Sequence, residues 1–163
     1  MAISLEHLRF PVTLEEVVLS NCNDSESMID QDLVAFSCCP NIRRFTLMDA
    51  FHISSVGLQM LQFFAKIEYL SLEELSEFND DSVKRIEPLK NLRTLILSGL
   101  YAATLQGTGF QILNHTNLLS LDLHTSTEAS DDQLNITDKG IFASPFSSKT
   151  MLIQFVPALH LLQ

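Results

Sequence analysis

Hydrophobic residues recur along the chain in a six-residue pattern, with apolar side chains at its first, fourth and sixth positions. Within each copy, apolar and polar residues alternate, which is typical of a β-strand with one buried face. The copies start 28, 25, 25 and 26 residues apart. They are LEEVVL from Leu14, IRRFTL from Ile42, IEYLSL from Ile67, LRTLIL from Leu92 and LLSLDL from Leu118. The pattern therefore predicts five strands at an almost constant spacing.

A second pattern follows each predicted strand: an apolar residue, a short polar stretch, and an apolar residue that begins a helical periodicity. Its copies are MIDQDL from Met28, ISSVGL from Ile53, FNDDSV from Phe78, LQGTGF from Leu105 and ITDKGI from Ile136. Four copies have a residue suited to a helix N-cap, because its side-chain oxygen can accept from an amide of the first turn. These residues are Asp30, Ser55, Asp80 and Asp138. Each unit is thus a strand, a loop, a short helix and a return.

A single unit of this kind leaves the apolar faces of its strand and helix exposed, whereas stacked units bury them in a continuous core. We therefore predict an α/β fold: a solenoid arc with a parallel sheet on its concave side and short helices on its convex side. It has about five full repeats plus a truncated sixth strand, in one domain over residues 1–163. A doubly wound α/β fold is the alternative, but that fold needs no fixed period.

The two ends depart from the period. Residues 1–13 contain LEHLRF, which has the strand pattern but starts only nine residues before Leu14, so we expect a cap remnant or an edge strand. Five repeats span 14–149, with a polar insert, TSTEASDDQ, after the fifth strand. Residues 150–163 begin a truncated repeat whose strand we predict to start at Leu159. We interpret this end as a truncated isoform, a gene fragment or an incomplete chain, and expect its unfinished edge to be adhesive or paired.

Taken together, the two patterns resemble the cysteine-containing class of leucine-rich repeat over roughly residues 12–163. The best matches to its consensus are Cys39-Pro40-Asn41-Ile42 and the ITDKGI segment. The resemblance implies a relation to the repeat region of F-box/leucine-rich-repeat proteins, which select substrates for a cullin–RING ubiquitin ligase. Where that class has cysteine or asparagine, this chain has Cys22, Ala50, Leu75, Leu100 and Ser126. No F-box precedes the repeats, so recruitment of a ligase would need a longer gene product or another subunit.

Charge and composition limit the kinds of partner and the cellular compartments that we expect for the protein. Twenty acidic residues against ten basic ones give a net charge of −10, which repels nucleic acid and favours a protein partner with a basic or mixed-charge surface. No signal peptide or membrane-spanning stretch is recognisable. Three cysteines without a disulfide framework favour a reducing compartment, the cytoplasm or the nucleus. Glycosylation sequons at Asn114 and Asn135 leave an extracellular, receptor-type repeat domain as a further alternative.

Residues that could carry chemistry are scattered. The five histidines share no metal-ligand spacing, and Cys38-Cys39 lacks the intervening residues of a zinc or redox pair. The GTG segment from Gly107 lacks the rest of a phosphate-binding loop. We therefore predict that the protein is not an enzyme and uses no cofactor or metal.

Strand alternation instead predicts a binding surface, because residues between the core positions face the concave side. Arg44, Met48, Tyr69 and Glu73 form its centre, a mixture suited to an interaction hot spot. The full candidate set is Arg44, Thr46, Met48, Tyr69, Ser71, Glu73, Ile96, Asp122 and His124. Charges alternate at the second strand positions, which we expect to support strand register. These residues are Glu15, Arg43, Glu68 and Arg93, followed by Leu119.

The expected function is non-enzymatic protein–protein recognition, as the substrate-binding repeat region of an F-box-type ubiquitin ligase subunit. The alternative is a ubiquitin-independent intracellular scaffold or regulatory protein that uses the same surface.

Overall fold

A computed structural model describes residue 5 and residues 8–20, 29–75, 78–100, 117–125 and 150–154. Its strands are β1 (Glu16–Leu19), β2 (Arg44–Leu47), β3 (Tyr69–Glu73), β4 (Thr94–Leu100), β5 (Ser120–Thr125) and β6 (Thr150–Gln154). Two α-helices, α1 (Asp30–Val34) and α2 (Asp80–Lys84), and two 3-10 helices, η1 (Ala35–Cys38) and η2 (Gly57–Phe63), lie between strands.

The six strands form one sheet in which spatial order follows chain order and every described pair is parallel. Parallel neighbours require a crossover connection, which matches the helical segments between the strands. The chain therefore has an α/β fold with an all-parallel sheet and a few short helices. A doubly wound sheet reverses its strand order at a switch point. The described strands have no such reversal, so the doubly wound alternative is wrong.

Strand register agrees with the predicted pattern, because residues at equal pattern positions are Cα partners. Glu16, Arg44, Tyr69, Thr94 and Ser120 follow one another across β1 to β5. The apolar fourth and sixth positions point to the other side and form the core. Buried members of these positions are Val17, Phe45, Leu47, Leu70, Leu72, Leu95, Leu97, Leu121 and Leu123. Each buried large side chain stabilises the fold by about 1.5–3 kcal/mol relative to exposure.

A row of phenylalanines joins the helical layer to the first strands. The Phe10 ring stacks on Phe36 with 4.4 Å between centroids, and Phe36 meets Phe45 edge-on at 6.1 Å. Phe45 then packs against Phe64 at 5.3 Å. The helical periodicity predicted burial of residues in η2 and α2, and this is confirmed for Leu58, Leu61, Phe64, Val83 and Ile86.

The N-caps predicted at Asp30, Ser55 and Asp80 are wrong by one residue. Asn79, not Asp80, caps α2, since its Oδ1 accepts from the amides of Asp81 at 2.9 Å and Ser82 at 3.1 Å. Ile29 precedes α1, and Asp30 is its first helical residue.

The Asp30 carboxylate bonds across the stack instead of capping its own helix. It accepts from the Ser54 amide at 2.8 Å and from the Ser54 hydroxyl at 2.6 Å. The helix η2 starts at Gly57, beyond the predicted cap Ser55, and Asp138 lies outside the described residues.

Left-handed residues recur at the same pattern position near the ends of three central strands. Asp49, Glu74 and Gly99 have φ of 55°, 55° and 64°, and each stands eighth when counted from the first apolar position of its strand pattern. This conformation is uncommon for residues other than glycine. Asp49 and Glu74 follow β2 and β3, whereas Gly99 lies inside β4, where the register with β5 shifts between Leu97 and Leu100. At Gly99 a side chain would also collide with the Glu74 carboxylate.

The two ends of the described sheet are β1 and β6. Residues 8–13 form no strand, so β1 is the edge strand among the described residues, and Leu5 donates its amide to Asp32 Oδ1 at 2.8 Å. At the other end the neighbour of β5 is β6, Thr150–Gln154, and not a strand starting at Leu159. Counted back from its register, the first pattern position of β6 is the polar Ser148, which is why the apolar pattern missed it.

Several expectations concern residues outside the described ranges. These are the second-pattern segments from Leu105 and Ile136, the TSTEASDDQ insert, Cys22, Ser126, Leu159 and the sequons at Asn114 and Asn135.

Candidate functional site

The strand register brings most of the predicted binding residues together on the face of the sheet opposite the core. Arg44 is the Cα partner of Tyr69, and Glu73 is the partner of Ser98. A second row of partners runs Thr46, Ser71, Ile96 and Asp122. Met48 follows β2 and donates its amide to Leu19 O at 2.9 Å, while His124 lies near the end of β5. All nine residues therefore belong to one surface, which we call the sheet face.

Ser71 is the exception in exposure. It is only 1% exposed, so its side chain offers almost no surface to a partner. Its hydroxyl donates to Glu73 Oε1 at 2.7 Å. Ser71 therefore offers little surface for direct contact, and its hydroxyl bond orients the Glu73 carboxylate. Alternation along one strand does not report this burial.

Arg44 is held by contacts on both sides. Its Nε lies 3.2 Å from Glu16 Oε1, and its guanidinium carbon lies 4.2 Å from the centroid of the Tyr69 ring. A cation over an aromatic face at an exposed site is worth about 0.5–1 kcal/mol. The side chain is still 53% exposed, so part of the guanidinium is open to a partner. We call Glu16, Arg44 and Tyr69 the arginine half of the sheet face.

Glu73, Asp122 and His124 make up the acidic half. The imidazole Nε2 of His124 lies 2.8 Å from Asp122 Oδ1, and the two side chains are 26% and 23% exposed. No Lys or Arg stands at the third, fifth or seventh positions of β3, β4 or β5. This half therefore contains two carboxylates and no Lys or Arg, whereas the charges of Glu16 and Arg44 balance in the arginine half.

The alternating charges at the second strand positions lie beside this face. Arg43 Nη1 is 2.6 Å from Glu68 Oε1, with both side chains more than 40% exposed at 48% and 42%. The backbone carbonyls at the second strand positions also accept hydrogen bonds in the same way from one strand to the next. The Glu15 carbonyl accepts from Arg43 and Arg44 amides, at 2.7 and 3.0 Å. Carbonyls of Arg43, Glu68 and Arg93 accept in the same way from the next strand.

A row of asparagine side chains was not predicted. Asn41 Nδ2 donates to Val12 O at 2.8 Å, and Asn91 Nδ2 donates to Ala65 O at 2.7 Å. Asn117 Nδ2 donates to Lys90 O at 3.0 Å. Each asparagine directly precedes a strand pattern, and each acceptor lies two residues before the preceding pattern. The sequence does contain a signal for this row, because an asparagine directly precedes three of the five strand patterns.

The described residues also bear on a metal site, a membrane span and a surface depression. Among the described residues, no group of three or more His, Cys, Asp or Glu side chains could hold a metal ion. No helix in the described ranges has the length and apolar character needed to cross a membrane. A shallow apolar depression of about 300 Å³ lies beside β1 and is lined in part by Leu8, Phe10, Val18 and Phe36.

Comparison with protein-family models finds no match for the chain, and comparison with curated proteins finds no significant match either.

Proposed function

We propose that the protein is a leucine-rich-repeat solenoid that recognises another protein through the sheet face, without catalysis. The observation that carries this proposal is the convergence of Arg44, Tyr69, Glu73 and Asp122 on one side of a parallel sheet. Aromatic and arginine side chains supply much of the binding energy at protein interfaces. Because Glu16 and Tyr69 hold Arg44, less side-chain entropy is lost when a partner binds.

Recurring details support the repeat part of the proposal. The left-handed residues near the ends of β2, β3 and β4 recur at one pattern position, and the asparagine bonds recur at another. The helical layer also stacks between units, since α1 packs against η2. Such contacts between successive units are what a solenoid requires.

The charge of the acidic half favours a partner that presents basic side chains to Glu73 and Asp122. Complementary charge raises association rates and helps to exclude wrong partners. The arginine half is suited to a carboxylate or a hydrogen-bond acceptor, because the guanidinium carries several donors in a fixed plane. The expected partner is therefore a protein with a mixed-charge surface whose basic part contacts β3 to β5.

The more specific proposal is that this surface selects substrates for a cullin–RING ubiquitin ligase inside the cell. It rests on the resemblance of the repeat patterns to F-box/leucine-rich-repeat proteins. A ubiquitin-independent scaffold with the same surface is the second candidate, favoured by the alanine and leucine residues at Ala50 and Leu75 where that class has cysteine or asparagine.

Quantitative affinity capture from cells tests both the proposed binding surface and the proposed link to a ubiquitin ligase. We expect Tyr69→Ala and Glu73→Lys each to reduce capture of the same partner at least about tenfold, a loss of about 1.4 kcal/mol. Gln59→Ala, an exposed change in η2, should leave capture unchanged and serves as the matched control. Undiminished capture by both sheet-face variants would overturn the proposed surface.

The same capture with the full-length gene product separates the two candidates. Cullin and the adaptor that binds F-boxes should be recovered if the protein selects substrates for the ligase. Their absence would remove the ubiquitin proposal and leave the scaffold. An N-linked glycan on Asn114 or Asn135 would contradict an intracellular location for either candidate.

A further inference from the structure

Two adjacent thiols lie outside the sheet face, where η1 ends. The Sγ atoms of Cys38 and Cys39 are 3.7 Å apart. Cys38 is exposed and Cys39 is buried. One thiol of the pair is thus open to reagents, and the second lies directly beside it.

The end of the helix positions this pair. The Cys38 thiol donates to Ala35 O at 3.3 Å, within its own helix. Cys39 leaves the helical conformation, with φ −109° and ψ 73°, while its amide still donates to Phe36 O at 2.9 Å. Pro40 prevents the helix from continuing. Backbone geometry, and not a flexible loop, therefore holds the two sulfur atoms close together.

The separation suits a shared central atom better than a disulfide. Neighbouring Cα atoms are about 3.8 Å apart across a trans peptide, which is shorter than the roughly 4.4–6.8 Å that disulfides span. Two thiolates bonded to one atom at about 2.3 Å are separated by roughly 3.5–3.8 Å when the bond angle is about 100–110°. The observed 3.7 Å falls in this interval.

We propose that Cys38 and Cys39 form a dithiol site for a trivalent arsenical. Such a compound supplies one substituent of its own and takes two sulfur ligands, which is what the pair offers. With phenylarsine oxide, two As–S bonds form and the As=O bond breaks. The oxygen leaves as water together with the two thiol protons, and arsenic stays trivalent, so no oxidant or reductant is needed.

The two thiols react in a defined order. Cys38 attacks first because it is exposed. Burial and the contact with Cys38 raise the pKa of Cys39 to about 11, so this group is a neutral thiol at pH 7. The second bond forms within the protein, at the high effective concentration of a tethered reactant. Binding is therefore slow in its second step but hard to reverse.

Intact-mass spectrometry of the full chain treated with equimolar phenylarsine oxide tests this site. We expect one adduct with the mass of phenylarsenic less two hydrogens. It should resist an excess of a monothiol roughly a hundredfold better than adducts of Cys38→Ser or Cys39→Ala, and a small dithiol should remove it. Cys22→Ser should behave as wild type and is the matched control.

Three outcomes would overturn the site. In the first, the adducts of Cys38→Ser and Cys39→Ala resist the monothiol as well as the wild-type adduct does. In the second, formation of the adduct depends on Cys22. In the third, a monothiol removes the adduct from wild type as easily as from the variants. Circular dichroism of each variant shows whether it is still folded. Cys38→Ser alone decides the question if Cys39→Ala does not fold, since Cys38 is exposed.

Discussion

The arginine half and the acidic half of the sheet face are built on the same strands in the same register, yet they differ in how their charges are held. Arg44 lies between a carboxylate and an aromatic ring, and its charge is balanced by Glu16. Among the described residues, Asp122 has only the His124 imidazole within ion-pair distance. One half therefore has balanced charges, while the other has an excess of carboxylates. Equal backbone geometry can thus present two kinds of surface.

The largest expected effect concerns the core below the two halves. Phe45→Ala below the arginine half should lower the free energy of unfolding by about 3–5 kcal/mol, and Leu121→Ala below the acidic half by about 2–5 kcal/mol. Both side chains are fully buried, at 0% exposure. Urea unfolding followed by circular dichroism measures both, with Thr46→Ala as the control. Two separate transitions in wild type would mean that the halves are independent units.

The next effect concerns the left-handed residue near the end of β4, on the acidic side. Gly99→Ala should cost roughly 1–3 kcal/mol, because the residue has φ 64° and the new methyl group meets the Glu74 carboxylate. Thermal unfolding measures the loss, and Ser98→Ala should stay within about 0.5 kcal/mol. A neutral Gly99→Ala would show that this backbone conformation is not needed to shape the acidic half.

Double-mutant cycles compare the two halves directly. The cycle of Arg44→Ala with Tyr69→Ala should give a coupling of about 0.5–1 kcal/mol, because the guanidinium lies over the aromatic ring.

The cycle of Asp122→Asn with His124→Gln should also give a measurable coupling, because the imidazole and the carboxylate lie 2.8 Å apart. Urea unfolding supplies the numbers for both cycles. A coupling of zero in either cycle would contradict the side-chain contact that characterises that half.

The smallest effect concerns the exposed charges that border both halves. Arg43→Glu should lower the free energy of unfolding by a few tenths of a kcal/mol, about the worth of an exposed pair, because it faces Glu68 with a like charge. Adding Glu68→Arg should restore the loss, and both effects should shrink in high salt. A melting temperature that rises in Arg43→Glu would count against the contribution of this pair to register.

Much of the sheet was predictable because alternation is a local property. The five strand patterns mark β1 to β5, and the residues between their apolar positions lie on the sheet face as expected. The sixth strand was missed because Ser148 stands where the pattern needs an apolar residue, and a resembling segment near Leu159 fitted better. Helix starts were also misplaced, because Asn79 competes with Asp80 for the same amides and Asp30 bonds to Ser54.

The candidate surface was predicted less completely than the sheet. The positions of Arg44, Tyr69, Glu73 and Asp122 in their strand patterns are enough to place them on the sheet face. The burial of Ser71 and the stacking of Arg44 on Tyr69 depend on side chains from neighbouring strands. The asparagine bonds likewise join residues 26 to 29 positions apart, so a local pattern does not specify them.

The sequence by itself determined where β1 to β5 run, which side chains form the core and which side chains lie on the opposite face of the sheet. These properties follow from the alternation of apolar and polar residues and from a spacing near 25 residues. The tertiary structure decided the identity of the sixth strand, the left-handed turns, the contacts that hold Arg44 and the contrast between the two halves. Such features depend on distances between units, and a linear pattern does not specify which side chains meet across them.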